Sequence, residues 1–341
     1  MTFQKRVARV ASAASFAVLL GALAACGGDQ STTGGDLTDA PETTEAAASG
    51  LEGSVLIDGS STVFPISEAM AEEFGLANPG VNVTVNLSGS GGGFKKFCAG
   101  ETDVSNASRP IKDSEVELCA EAGIDFIEVP VAYDGLTIVI NPENDWAQCL
   151  TIEQLNAMWS PDAETNDVNT WAKADPSFPD EVLSLYGPGA DSGTFDYFTD
   201  EVNGDEGVSR GDYQASEDDN LIVNGVQGEK GGLGYFGYAY YEENQDALKS
   251  VEIQNEAGDC VAPSRETISD GSYNPMSRPL LFYVKVDSYD SKPEVKAFVD
   301  YMIDPANSVL IGDVGYVPLP ADAVAASQAR LSEKKLGKDP S

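Results

Sequence analysis

Three glycines and two hydroxyls crowd one short stretch, Gly187-Pro188-Gly189-Ala190-Asp191-Ser192-Gly193-Thr194. An apolar run, residues 182–186, leads in, and an amphipathic run from Thr194 leads out. The pattern reads as strand, tight turn, helix. Such a turn aims backbone N–H groups, with the hydroxyls of Ser192 and Thr194, at one spot before a helix N-terminus. That arrangement favours an anion. A plain helix cap by Asp or Ser accounts for the same residues, so the stretch alone does not decide between cap and ligand site. Three earlier segments repeat the chemistry: Gly59-Ser60-Ser61-Thr62-Val63-Phe64-Pro65, Ser88-Gly89-Ser90-Gly91-Gly92-Gly93, and Asn106-Ala107-Ser108-Arg109-Pro110. Each follows a strand or precedes a helix.

Composition narrows what these groups can do. The 341 residues include no histidine, which removes Ser-His-Asp and Cys-His catalysis and His-ligated zinc. Carboxylate and Lys chemistry stay open. The formal charge of −36 argues against nucleic acid and against anionic membrane surfaces as partners.

Residues 1–25 read as a secretory signal peptide, with Lys5, Arg6 and Arg9 before the apolar run 10–24. The run ends in Leu23-Ala24-Ala25-Cys26, which resembles a lipobox. The resemblance implies cleavage before Cys26 and a lipid, including palmitate, on that residue. Residues 26–50 are Gly, Asp, Ser, Thr, Ala and Glu with almost no large apolar residue, a disordered tether. Four cysteines remain, Cys98, Cys119, Cys149 and Cys260. An even count outside the cytoplasm suggests two disulfides, and spacing does not choose among the three connectivities.

The elements that must position the loops follow in order. Strands are expected at 53–57, 81–87 and 126–129, and helices at 66–74, 94–99 and 113–121. Strand, Gly/Ser loop, helix, repeated, is an α/β signature with a largely parallel sheet, whose ligands bind beyond the carboxyl ends of strands. Two long apolar strands, 135–140 and 280–284, bracket a middle region with helix candidates at 151–159 and 194–202. They look like crossings between two lobes. Residues 51–134 with 280–325 make one lobe, residues 135–279 the other, and 326–341 a polar tail. The aromatic run 235–241 reads as core and cleft wall.

These loops, in this order, resemble the phosphate-binding lipoproteins of bacterial ABC phosphate uptake systems, with a type II periplasmic-binding-protein fold. The match spans about residues 53 to 320. It rests on the four loops above and on Gly234-Tyr235-Phe236-Gly237-Tyr238-Ala239-Tyr240-Tyr241. It implies phosphate held by Ser61, Thr62, Val63, Ser90, Ser108, Arg109, Ser192, Gly193 and Thr194. Many members carry an Asp where Ser108 stands and an Arg where Pro188 stands, so the charges are exchanged between loops: Arg109 lies in the third loop and Asp191 in the turn.

Arg109 would meet an oxyanion with a bidentate fork; a structural salt bridge is the other reading. Asp191 can only accept a hydrogen bond. It would reward phosphate, which keeps a proton near neutral pH, over sulfate, which does not; a helix cap or a partnership with Arg109 are its other readings. Lys95 and Arg210 read as solvated charges. The expected function is phosphate binding outside the cytoplasmic membrane and delivery to an ABC permease, by a lipid-anchored monomer needing no cofactor or metal. A receptor for another oxyanion or small anion, a surface signalling or adhesion protein, and a phosphatase using Ser192 or Thr194 are the alternatives. Cross-lobe disulfides would hinder closure, so Cys98–Cys119 and Cys149–Cys260 are expected.

Overall fold

The computed structural model describes residues 50–190 and 192–338. The signal peptide, Cys26, nearly all of the tether, and Asp191 lie outside these residues.

Strand β1 (Gly53–Gly59) buries Val55 and Ile57 and runs into helix α1 (Phe64–Ala77). In α1, Ile66, Met70 and Phe74 recur every four residues and form its inward stripe. Strand β2 (Val81–Leu87) and strand β3 (Val104–Ala107) lie parallel to β1 on its two sides. The crossovers are α1 and α2 (Gly89–Cys98), so the loops at the carboxyl ends of these strands share one edge of the sheet.

Strand β4 spans Phe126–Ile140 without a break, where two separate strands were expected. Pro130 has no N–H for the ladder, and a bulge accommodates it. Leu281 pairs with Pro130 and Leu280 with Ala132, leaving Val131 without a direct partner. Up to Gly135, β4 pairs antiparallel with the return strand Ser277–Lys285; from Leu136 it pairs with Gly232–Gly237. The sheet therefore runs β2, β1, β3, the return strand, β4, Gly232–Gly237, Ser184–Gly187, Gln214–Ala215.

The apolar core falls into groups along this sheet. One gathers Val55, Met70, Val104, Val129, Leu280 and Phe298; another gathers Ile138, Leu155, Trp159, Trp171, Phe198 and Tyr235. The chain passes from the first group to the second between Ala132 and Leu136, and back between Met276 and Leu280. The fold is thus α/β with two lobes strung on two crossing strands. Both expected disulfides are present. Cys98–Cys119 ties α2 to α3 (Asp113–Glu121), and Cys149–Cys260 sits in a small separate sheet. The last helix, Ala321–Ser332, extends into the segment read as a tail, and its Arg330 and Leu331 are buried.

Candidate functional site

The second loop differs from its sequence reading in a way that matters. Helix α2 starts at Gly89, five residues before the expected Phe94. Glycine is a poor helix former, but packing demands it here: a Cβ on Gly93 would lie 2.6 Å from the Gly59 backbone and 2.8 Å from Ser105 Oγ. Helix α2 thus presses against β1 at Gly93, and Ser90 and Gly91 fall in the N-terminal turn where backbone N–H groups lack intrahelical partners. The N-cap residue, Ser88, makes no capping bond; its hydroxyl bonds Asp58 instead. Helix α1 likewise has no side-chain cap at Val63. Val63 is fully buried.

The loops are joined to one another. Ser60 N–H donates to the Asn106 carbonyl and Ser88 N–H to the Gly59 carbonyl. Ser108 N–H donates to Ser90 Oγ at 3.1 Å, and the two hydroxyls lie 3.2 Å apart. The fourth loop comes from the other lobe. Ser192 caps helix Gly193–Asn203 and accepts from Thr194 N–H at 3.2 Å. Gly193 packs on the first loop: a Cβ there would sit 2.8 Å from Thr62 Oγ1.

Between the lobes lies a cavity of about 400 Å³. Ser61, Thr62, Ser90, Ser108 and Arg109 line it from one side, Asp196, Tyr197, Asp200 and Glu206 from the other. Thr194 opens instead onto a neighbouring cavity of about 340 Å³, with Asp134, Asp219 and Tyr316. Asp191 lies outside the described residues; among those described, Ser192 caps the helix and Glu115 is the carboxylate paired with Arg109.

The charges do not fall where the sequence put them. Arg109 lines the cavity, but its fork is closed bidentately on Glu115 at 2.8 and 2.9 Å, and it also donates to the Pro110 carbonyl. The Glu115 hydrogen bond raises the guanidinium pKa further. Burial pushes the Glu115 carboxyl up, but Arg109 and the Lys112 N–H outweigh it and hold the carboxyl below its ordinary range. Arg210 is no solvated charge. It is buried, bonded to Asp212 and to the carbonyls of Met158 and Val168, and holds the second lobe together. Lys95 is exposed. Tyr235, Phe236 and Tyr238 are buried, as the core reading of the aromatic run requires.

Sequence reasoning missed Arg278. It stands at the start of the return strand and lines the same cavity. Its Nη2 donates to Thr62 Oγ1 at 3.2 Å and, with Nε, to Asp134 Oδ2 at 3.1 and 3.2 Å. The guanidinium lies 3.6 Å above the Tyr197 ring. One signal could have found it: Ser277-Arg278-Pro279 repeats the Ser108-Arg109-Pro110 of the third loop. Asp196 was missed too. Burial, then the charge of Glu206, raises its carboxyl pKa, and Arg278 works against that.

Aimed hydroxyls, helix N-termini and a guanidinium are suited to holding a tetrahedral oxyanion without covalent chemistry. Among the described residues no carboxylate or lysine is hydrogen-bonded to Ser192 or Thr194.

Comparisons with known proteins agree in kind. The family model described as PBP superfamily domain matches residues 41–306. Protein SphX of Synechococcus elongatus is 47% identical over 283 residues, covering 83% of this chain and 82% of that protein. The phosphate-binding protein PstS of Staphylococcus saprophyticus is 40% identical over 290 residues, covering 84% and 87%. A crystal structure described as a possible phosphate binding protein from Planctomyces limnophilus superposes with a TM-score of 0.79 at 45% identity, covering 83% of this chain and 99% of that one.

Proposed function

This chain belongs to the PBP superfamily, and from that premise we propose that it binds inorganic phosphate outside the cytoplasmic membrane and delivers it to the membrane subunits of an ABC importer. The observation that carries the reading is the convergence of three hydroxyl-bearing loops on one cavity, joined through Ser90–Ser108, with Gly193 of the fourth loop packed against Thr62 at its margin. Relatives named for phosphate binding support the choice of ion.

In this reading Ser61, Thr62, Ser90 and Ser108 offer hydroxyls, Ser192 and Thr194 add theirs once the lobes close, Val63 and Gly193 offer backbone N–H groups, and Arg109 stays closed on Glu115. Asp191 accepts the proton that phosphate retains and sulfate lacks. The long-range field of an acidic protein does not forbid an anion, because charge beyond roughly 10 Å is screened while dipoles aimed at contact distance are not. Residues 51–134 with 280–325 form one lobe and residues 135–279 the other, and binding shifts them toward closure. No covalent step is needed. Among the described residues no helix is long and apolar enough to cross a membrane. Attachment as a monomer would come from lipid on Cys26 through the tether, and Cys26→Ala should release the protein from the membrane.

Titration calorimetry with phosphate and then sulfate is the test. Phosphate should bind and sulfate should bind far more weakly. No heat with phosphate would overturn the function; equal binding would overturn the role given to Asp191.

A further inference from the structure

We infer that Arg278, rather than Arg109, is the guanidinium that takes the charge of the anion in this cleft. The inference rests on the phosphate reading above and names the cation that reading leaves open.

Position comes first. Arg278 and Asp134 are direct partners in the ladder between the return strand and β4, two residues before β4 changes partner at Leu136. The side chain therefore stands at the point where both crossing strands leave one lobe for the other. From there it reaches three elements at once: Asp134 on β4, Thr62 on the first loop, and the face of Tyr197 on the second-lobe helix. A guanidinium stacked on an aromatic ring keeps its edge free for in-plane bonds.

Availability separates the two arginines. Arg109 spends both arms on Glu115. Arg278 uses Nε and Nη2, and its Nη1 donates to no described residue. Its partner Asp134 is buried, and burial pushes that carboxyl above its ordinary range with only partial offset from Arg278. The facing wall carries Asp196, Asp200 and Glu206. An anion entering between those carboxylates needs a cation whose charge is not already closed by a solvated partner, and Arg278 meets that condition.

The experiment is phosphate titration of four proteins, with thermal unfolding as the check on folding. They are the wild type, Arg278→Gln with Asp134→Asn, Arg278→Lys, and Arg109→Gln with Glu115→Gln. The paired changes leave no buried carboxylate stranded. We expect the Arg278/Asp134 pair to bind about 100-fold more weakly. Arg278→Lys, which keeps the charge and loses the fork, should bind about 10-fold more weakly. The Arg109/Glu115 pair should stay within about threefold of wild type. Wild-type affinity in the Arg278/Asp134 pair, or a larger loss in the Arg109/Glu115 pair, overturns the inference and leaves the phosphate reading standing. If the Arg278/Asp134 pair does not fold, Arg278→Lys decides: a 10-fold loss supports the inference and unchanged affinity overturns it. Absence of phosphate binding by the wild type overturns both.

Discussion

The two Ser-Arg-Pro segments bring an arginine to the same cavity by different routes. Arg109 follows a strand end and reaches six residues forward along the chain to Glu115. Arg278 opens a strand and finds its carboxylate 144 residues away, across a ladder that only the fold creates. The first pair is half-exposed, with side-chain exposures of 31% and 16%, and closes on itself; the second, at 17% and 6%, is sunk between the lobes. Identical tripeptides thus acquire different electrostatics, because a buried pair loses hydration while a surface pair keeps most of it.

The largest way to break this contrast is to remove one arginine at a time. Arg278→Gln alone strands Asp134 and should cost about 3–5 kcal/mol of unfolding free energy in urea titrations. Arg109→Gln should cost about 1 kcal/mol or less. Similar losses would mean that burial does not distinguish the pairs.

Gly193→Val probes the Arg278 side without touching either charge. The added side chain must push Thr62 away from the second-lobe helix, so phosphate affinity should fall about 30-fold, by calorimetry, with a smaller change in stability. Unchanged affinity would mean that the Gly193–Thr62 approach is not needed for binding. Ser90→Ala removes the acceptor for Ser108 N–H and should cost about 1 kcal/mol of binding, close to fivefold; unaltered binding would separate the second loop from the site.

The smallest effect is in pH. Glu115 has a lowered folded pKa, so its contribution is present above the unfolded carboxyl value and is lost as pH falls through the folded one. Asp134 has a raised folded pKa. Between its unfolded and folded values the native state holds the extra proton, so stability falls as pH rises through that window. Asp134→Asn should remove the decline with rising pH, and Glu115→Gln should remove a loss on acidification. Stability curves of the two variants that change in the same sense would contradict the assignment.

Much of this was legible beforehand, for physical reasons. The loops were legible because hydroxyl and glycine clusters between apolar runs have few other uses, and the crossing strands because burial on both faces leaves near-continuous apolar runs. The disulfide pairs followed from which cysteines share a lobe. The start of α2 was not legible: helix propensity argues against Gly89–Gly93, and only the close approach to Gly59 makes those glycines necessary. Pro130 looked like a strand end because the bulge that absorbs it, at Val131, shows only in the register against the return strand. Arg210 looked solvated because its acceptors, the carbonyls of Met158 and Val168, are distant in sequence. Arg278 was hidden for the same reason, since its meaning lies in the register opposite Asp134.

The most direct measurement is a crystal structure grown with phosphate. A tetrahedral ion bonded to Ser90, Ser192 and the Arg278 guanidinium, with Arg109 still closed on Glu115, is the predicted result. An ion held by Arg109 with Arg278 still turned to Asp134 and Thr62 alone, or a cleft without an ion at saturating phosphate, would contradict it.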